Sequence, residues 1–563
     1  MIQRIFSAFE WLRHYKRTDL RGDLSAGLVV AIMLIPQGMA YALLAGLPPV
    51  IGLYTSTIPL LVYALFGSSR QLAVGPVAMI SLLVFAGISD LAEPASEQYL
   101  GFVFLLALIV GVTQFAMGLF RVGALINFLS HAVITGFTSA AAIIIILSQL
   151  NQLLGIKSSG GHSALHLFTE IVRKMGDTNL TTLIIGLASI ALLIVVKKKS
   201  PRFPVPILVV AASIGATSLF GLDRLGVSIV GHVPQGFPAF TMPSPDIESL
   251  EALFPTALTV LFVGFMESFS IAKWVAAREK YKIDSNKELI GLGLANIAAS
   301  FFSSYPVTGG LSRTAVNYEA GARTGLASIF SVLIILVTLT FFTSFFYYLP
   351  NAALAAIVIV AVFGLIDVKE AKHLFRVKHI DGWTMMVTFL TTLLLGSQNG
   401  MMAGVGFSLL IFIWRSAHPH AAELGYLEKE GIFRNTKRFP EAKTCPQILI
   451  LRVDASLYFA NMSFLEDLLR KTVEEKKDLR WVILDLSGVN DMDGVAIDAL
   501  EEIMETYRYR GIQFLFAAMK GPVRDLVAKA GWKEKYGKRI KFNTLQAAIE
   551  EIKLAEVKPD CLS

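Results

Sequence analysis

Charged residues are scarce in this sequence. Asp, Glu, Lys and Arg make up 17% of its 563 residues, whereas 54% are hydrophobic. A chain with so few charges is too apolar for a soluble protein of this length, because soluble domains carry about 25% charged residues. The only cysteines are Cys445 and Cys561. Two cysteines in a polar C-terminal part are typical of a reduced compartment, and they exclude a disulfide framework and a cysteine-based metal cluster.

The sequence also lacks the motifs of the common enzyme classes. It contains no Ser/His/Asp set, no cluster with metal-ligand spacing and no glycine-rich phosphate loop. The HPH run at 418–420 follows the last apolar run and is typical of a linker. We therefore expect no enzymatic activity, no cofactor and no metal ion. The net charge of +7 needs no nucleic-acid partner, because the basic residues cluster in predicted loops on one side of a membrane.

Long apolar runs fill the chain from residue 24 to residue 417. Many approach the roughly twenty residues that a helix needs to cross the lipid bilayer. The sequence therefore predicts an α-helical polytopic membrane protein, with residues 1–23 as a basic segment on the inner membrane surface. About fourteen spans are expected, beginning near residues 24, 47, 75, 99, 123, 179, 203, 255, 283, 308, 322, 350, 380 and 398.

Basic residues indicate the orientation of these spans. If the N-terminus lies inside, the loops after even-numbered spans should be basic, as at residues 197–199 and 369–378. A loop after an odd-numbered span, residues 90–97, is acidic, whereas residues 151–178 are mixed. The pattern predicts a plasma or inner membrane protein with both ends in the cytosol.

The character of the chain changes after the last apolar run. Residues 418–447 are predicted to be a polar linker, and residues 556–563 a tail. Between them, residues 448–555 alternate apolar runs such as ILILRVD and WVILDLSG with amphipathic helical stretches. Such alternation predicts a small cytosolic α/β domain.

The stretch FFSSYPVTGGLSRTAVNYEAG, residues 301–321, interrupts the tenth span. Pro306, Gly309 and Gly310 stop a helix there, and the freed backbone must be buried or face a water-filled cavity. A half-helix that begins at this glycine pair presents about half a positive charge at its N-terminus. Arg313 follows, and an arginine near the membrane centre costs at least about 2.5 kcal/mol without a partner or a task. These features predict an anion site; the alternative is an ordinary kink with Arg313 snorkelling to the surface.

A second broken span has the same character. RQLAVGPVAMIS places Gly75 and Pro76 before a predicted half-helix in the third span. The third and tenth spans are an odd number of spans apart, so the two segments have opposite orientation. Paired, interrupted segments of this kind indicate the binding site of a transporter. We expect two half-helix N-termini that face each other.

Glu267 is the only carboxylate in the middle of the eighth span. An isolated buried carboxylate costs several kcal/mol when it is ionised. One interpretation is a permanent partner for Arg313 or Lys273. The other is proton coupling: two half-dipoles and Arg313 supply roughly two positive equivalents, and an ionised Glu267 cancels one of them. A bound dianion then favours protonated Glu267, and the reverse follows by linkage.

Several motifs resemble those of the sulfate permease (SulP) family of anion transporters. They are QGMAYALLAG (37–46), PVIGLYTSTIPLLVYALFGSSR (49–70), VGPVA (74–78) and GGLSRTAVNYEAGART (309–324). The C-terminal part resembles a STAS domain, which is named for sulfate transporters and anti-sigma factor antagonists. The resemblance covers about residues 10–555.

The resemblance implies a fold and a set of site residues. The fold has two inverted seven-span repeats, as in uracil transporters, and the family is homodimeric with an elevator-like movement. Glu267 stands where proton-coupled members carry a glutamate. The residues expected to form the anion pocket are Gln37, Tyr41, Gly75, Val77, Ala78, Gly309, Gly310, Leu311, Ser312 and Arg313.

These assignments leave alternatives. The alternative role of Gln37 is a helix–helix hydrogen bond, and that of Tyr41 is packing at a helix interface. The alternative role of Ser312 is a hydrogen bond to the backbone of its own helix. In the STAS-like part, Gly494 and Val495 stand where anti-sigma factor antagonists carry serines. Phosphoswitching at that position is therefore not expected.

The expected function is secondary active transport of an inorganic dianion, with sulfate uptake by proton symport as the leading interpretation. Bicarbonate, dicarboxylate or chloride transport or exchange at the same site, and an anion channel, are alternatives within transport. A membrane-bound signalling module with the STAS domain as its output is an alternative of another class. The expected partners are the anion, protons, the lipid bilayer and a second copy of the chain.

Overall fold

The computed structural model describes residues 15–123, 130–156, 164–200, 204–244 and 246–554. The chain divides into two compact units between Ser408 and Leu409. The first is helical, and the second contains a five-stranded sheet. The predicted N-terminal surface segment lies, up to residue 14, outside the described residues.

Helices that are long and apolar dominate the first unit. Nine helical stretches in the described residues are long and apolar enough to cross a membrane. A helix or half-helix begins within eight residues of each predicted span start. The helices are α1 (Leu20–Leu44), α2 (Pro49–Thr55), α3 (Ile58–Phe66), α4 (Ala78–Ile88), α5 (Glu97–Leu119), α6 (His131–Leu154), α7 (Ala164–Lys174), α8 (Leu180–Lys199), α9 (Val205–Phe220), α10 (Ile247–Glu279), α11 (Ser285–Phe301), α12 (Leu311–Glu319), α13 (Leu326–Val337), α14 (Asn351–Phe363), α15 (Val368–Val377), α16 (His379–Leu395) and α17 (Ser397–Ala417).

Two short strands hold the broken spans together. Strand β1 (Val74–Gly75) precedes α4, and β2 (Thr308–Gly309) precedes α12. They pair antiparallel, with Val74 opposite Gly309 and Gly75 opposite Thr308. The amide of Gly310 extends this pairing by donating to the carbonyl of Ala73 at 3.1 Å. The structure thus places the two interrupted segments side by side, and both are extended before their half-helices begin.

Small residues let α1 approach the helix that follows it. A Cβ at Gly52 would lie 1.9 Å from the carbonyl oxygen of Gly38, so the two backbones are in direct contact. Glycines commonly allow close contact between helices in membranes. Such contact matters there because lipid tails are apolar, and the hydrophobic effect does not drive helices together. This contact fixes α2 against the middle of α1, which carries two of the predicted site residues.

We predict that Gly52→Ala lowers the thermal stability of the detergent-solubilised protein. The added methyl group meets backbone atoms that cannot move aside, and overpacking of this kind costs about 1–3 kcal/mol or more. Gly101→Ala is the matched control, because nothing lies within 4 Å of a Cβ at Gly101. Thermal unfolding of the two variants measures the difference. Equal midpoints of thermal unfolding for both variants would show that the α1–α2 contact accommodates a methyl group without loss of stability.

The second unit is a sheet with strand order β4-β3-β5-β6-β7 and helices packed against it. The strands β5, β6 and β7 pair in parallel, and β3 pairs antiparallel with β5 and with β4. Leu449, Leu484 and Phe516 from these parallel strands pack in one buried cluster with Trp532. The elements are β3 (Ala421–Leu427), β4 (Ile432–Asn435), β5 (Ile448–Val453), α18 (Phe459–Glu475), β6 (Trp481–Asp485), α19 (Gly494–Tyr509), β7 (Gln513–Ala517), α20 (Gly521–Lys529), α21 (Trp532–Tyr536) and α22 (Leu545–Leu554).

Two features of this unit differ from the predictions made from the sequence. The segment 418–447, predicted to be a polar linker, contributes β3 and β4 to the sheet, because Ala422 and Leu424 bury one apolar side of a short hairpin. Cys445 is buried and disulfide-bonded, whereas reduced cysteines were expected. The small number of cysteines does not determine their redox state. Cys561 lies outside the described residues.

Candidate functional site

The N-termini of α4 and α12 form the centre of the candidate site. Each half-helix is preceded by an extended residue, Val77 for α4 and Gly310 for α12, and neither has a side-chain cap from the described residues. The first N–H groups of a helix have no partner within the helix and carry its positive partial charge. Antiparallel pairing of β1 with β2 brings the two uncapped ends together. This arrangement suits an anion.

Side chains from distant helices hold β2 in its extended form. The amide of Val307 donates to Oδ1 of Asn296 at 2.7 Å, and Nδ2 of Asn296 donates to the carbonyl of Val307 at 3.2 Å. The same Nδ2 reaches Oε1 of Gln114 at 3.0 Å. Two residues further along the extended segment, the amide of Gly309 donates to Oγ of Ser268 at 2.8 Å. Asn296 therefore supplies both partners that a neighbouring strand would give to Val307.

We predict that Asn296→Leu reduces transport at saturating anion by at least about tenfold, since it leaves two buried backbone groups unpaired at about 1–3 kcal/mol each. Asn296→Asp keeps the acceptor for the Val307 amide and should lose less. Asn399→Leu is the control, because the side chain of Asn399 is exposed and donates to the carbonyl of Leu395 at the end of the preceding helix α16. Uptake into proteoliposomes at equal protein density measures all three variants. Normal uptake by Asn296→Leu would contradict a positioning role for this residue.

Arg313 lies between the two half-helices and is 2% exposed. Its Nη1 donates to the carbonyl of Pro76 at 2.5 Å, so the guanidinium reaches from α12 to the segment that precedes α4. Its Nε and Nη2 are buried and have no hydrogen-bond partner among the described residues. A Cβ at Gly310 would lie 2.8 Å from the guanidinium carbon, so this glycine makes room for it. The buried position excludes snorkelling of Arg313 to the surface.

A cavity of about 190 Å³ joins α1 to α12. Gln37 and Ser312, two of the predicted site residues, line its inner end. Oε1 of Gln37 is buried without a partner among the described residues. The helix–helix hydrogen bond considered for Gln37 is therefore not seen at this atom. The remaining lining residues are Met33, Leu193, Lys197, Pro204, Val205, Pro206, Val316, Ile357, Val360 and Ala361.

Tyr41 and Glu267 lie close to the guanidinium. Tyr41 is buried and interacts electrostatically with both Arg313 and Glu267. Oε2 of Glu267 is buried with no hydrogen-bond partner among the described residues. Lys273, considered above as a partner of Glu267, instead lies 4.3 Å above the ring of Phe269. Glu267 therefore interacts electrostatically with Arg313, while its Oε2 has no hydrogen-bond partner in the part of the chain that the structure describes.

The other predicted site residues lie at the half-helix starts and not on the cavity wall. Gly75 and Gly309 are in the paired strands, and Val77, Ala78, Gly310 and Leu311 surround the first turns of α4 and α12. Sequence reasoning missed Tyr305, which is fully buried, bonds to Ser81 at 3.1 Å and interacts electrostatically with Arg313. The available signal was that Tyr305 begins the run YPVTGG, which interrupts the span and contains β2.

Comparison with known proteins shows the family of the chain. Residues 20–388 match the sulfate permease family, and residues 439–548 match the STAS domain. The chain is 41% identical over 568 residues to "Sulfate transporter 4.1, chloroplastic" of Arabidopsis thaliana, covering 98% of this chain and 82% of the relative. It is 34% identical to a probable sulfate transporter of Mycobacterium tuberculosis, with 96% of each chain covered.

A solved structure of a relative shares the whole fold. The murine Slc26a9 anion transporter in the inward-facing state superposes with a TM-score of 0.91 at 27% identity. That comparison covers 98% of this chain and 94% of the other. The predicted class of a helical polytopic transporter with a C-terminal STAS domain is thereby confirmed. The chain belongs to the sulfate permease family.

Proposed function

We propose that this protein is a secondary active transporter that takes up sulfate together with protons. The observation that carries the proposal is the pair of uncapped half-helix N-termini with the buried guanidinium of Arg313 between them. Backbone amides and a guanidinium group are the donors that tetrahedral oxyanions accept. The side chains of Gln37 and Ser312 add neutral polar groups on the cavity side.

The charge of the site supports a dianion as the substrate. Two half-dipoles and one guanidinium supply roughly two positive equivalents. The curated relatives described above carry names of sulfate transporters, and sulfate has this charge. Amides recognise charge more than identity, so bicarbonate, a dicarboxylate such as fumarate, and chloride are the competing substrates in the test below.

Glu267 supports coupling to protons. One of its oxygens is buried without a hydrogen-bond partner among the described residues, and the carboxylate interacts with Arg313. An ionised Glu267 weakens the attraction of Arg313 for a dianion, so anion binding favours the protonated carboxyl. Linkage requires that protonation strengthens anion binding by the same factor. Proton and anion then travel together.

The movement that we propose is elevator-like, in a homodimer at the cell membrane. Pairing of β1 with β2, together with the contact between Arg313 and Pro76, ties α4 to α12, so the two halves of the site move as one body. The homodimer and the elevator movement follow from the family resemblance. Location in the cell membrane is also part of the proposal, since one relative is named as a chloroplastic protein.

The test is uptake of labelled sulfate, bicarbonate and fumarate into proteoliposomes, with and without an inward proton gradient. We expect saturable sulfate uptake that the gradient accelerates. Saturable uptake of another anion instead would correct the substrate, and uptake indifferent to the gradient would correct the coupling. A large current without saturation would indicate a channel. Absence of transport with every anion would refute the proposal.

A further inference from the structure

Lys197 lines the same cavity as Gln37 and Ser312. It lies in the last turn of α8, which ends Lys197-Lys198-Lys199. Of the described side chains that line the cavity, it is the only charged one, whereas Lys198 and Lys199 do not line it. Among the described residues, no carboxylate lies within 4 Å of its ammonium group. Its charge is therefore not cancelled by a fixed partner in the described part of the chain.

The cavity runs from the anion site to one end of the helices. Ser312 is at the first turn of α12, and Val316 lies about one turn further along this helix. Beyond α12, the amides of Arg323 and Thr324 donate to Asp23 near the start of α1. The mouth of the cavity is thus on the side where α1 begins. The positive-inside rule assigns that side to the cytosol.

The walls near the mouth are apolar. Pro204, Pro206 and Leu193 lie beside Lys197, and α14 contributes Val360 and Ala361. A charge in a cleft with low-dielectric walls projects its field along the cleft and raises the local concentration of counter-ions. Lys197 is placed to do so for an anion that moves between the cytosol and Ser312.

We propose that Lys197 is an anion-gathering residue, which sets the affinity of the cytosol-facing site without holding the anion in its central position. The proposal rests on the proposed function of anion transport. It predicts an effect on one side of the membrane only, because Lys197 lies at one mouth of the path. It also predicts that the effect depends on salt, since the field acts through water at the mouth.

The size of the effect follows from the charge of the substrate. One unit charge at roughly 7 Å in water changes the local concentration of a monovalent anion by about two- to threefold. The interaction energy of a divalent anion is twice as large, so its concentration factor is the square of the monovalent factor, about four- to ninefold. Replacing the positive charge of residue 197 by a negative one changes the interaction energy twice as much as removing the charge does. The concentration factor for removal is therefore squared.

The test uses the full-length protein in proteoliposomes, with sulfate as the probe and its KM measured separately from each face. Lys197→Gln should raise the KM of the cytosol-facing side about fivefold at low salt, with the Vmax from that side and the opposite-face KM unchanged. Lys197→Glu should raise it further, and Lys197→Arg should restore the wild-type value. Lys198→Gln is the matched control and should resemble the wild type. At about 1 M ionic strength, where the screening length is about 3 Å, the effect of Lys197→Gln should disappear.

Each other outcome overturns the inference in a recognisable way. Equal effects of Lys197→Gln and Lys198→Gln would indicate general surface charge. Equal changes of KM on both faces, or a fall in Vmax alone, would indicate a structural role. An unchanged KM in Lys197→Gln would refute the gathering role and leave the proposed function intact. A wild-type protein that carries no anion would refute both.

Discussion

Arg313→Gln is expected to abolish sulfate uptake, with a loss of at least about a hundredfold, equivalent to roughly 2.7 kcal/mol. The site then keeps only the two half-dipoles, about one positive equivalent, against a dianion. Glutamine is two bonds shorter than arginine and does not reach the carbonyl of Pro76, which accepts from Arg313 in the native protein. The variant therefore removes the charge and this one contact, while the pairing of β1 with β2 still joins the half-helices.

The lysine variant separates charge from geometry. Arg313→Lys keeps the charge but loses the planar fork of donors that suits an oxyanion. We expect intermediate uptake with a raised KM, about tenfold above the wild type. Thermal unfolding of both variants in detergent controls for misfolding. Sulfate uptake by Arg313→Gln at the wild-type rate would show that the buried guanidinium is structural only.

Glu267→Gln is expected to remove the pH dependence of uptake while anion binding stays measurable. In the wild type, acidification of the uptake side should increase uptake, because protonation removes a negative charge that opposes the anion beside Arg313. Glutamine mimics the protonated carboxyl at every pH, so a proton gradient no longer drives accumulation. Counterflow of labelled sulfate against unlabelled sulfate should persist. Proton-coupled accumulation in this variant would reject the role of Glu267.

Two other carboxylates give this experiment its controls. Glu279 lies on the same helix α10 and forms an ion pair with Arg323 at 3.5 Å, so Glu279→Gln should leave proton coupling intact. Glu288 is fully buried, but its oxygens accept hydrogen bonds from Tyr63 and from Ser68. A carboxylate satisfied in this way holds the loop after α3 in place. Glu267 differs from both because its buried Oε2 has no hydrogen-bond partner in the described part of the chain.

The sequence predicted the parts of the site that depend on local backbone chemistry. Gly75, Gly309 and Gly310 indicated breaks in two spans, and the structure has short strands and half-helix starts at these places. The interruption of an apolar run is visible in one sequence because glycine and proline act on their own neighbours. Gln37 and Ser312 came from the family resemblance, and the structure brings both to one cavity.

The contacts that hold the site together were not predictable in the same way. Asn296 and Ser268 support β2 from helices α11 and α10, and a single sequence gives no sign of which polar residues meet across a membrane bundle. Lys197 was read only as a loop charge, because its position on a cavity wall depends on how α8 packs. The strands β3 and β4 were missed because they are short and lie among charged residues.

The most direct test of the anion site uses selenate, a heavier analogue of sulfate, in crystals of the wild-type protein. Anomalous scattering from selenium locates the ion without reference to a refined structure. The account predicts a peak between the N-termini of α4 and α12, about 3 Å from backbone amides of Leu311 to Arg313 or of Ala78. A peak elsewhere on the protein, with none between these two helix ends, would contradict it.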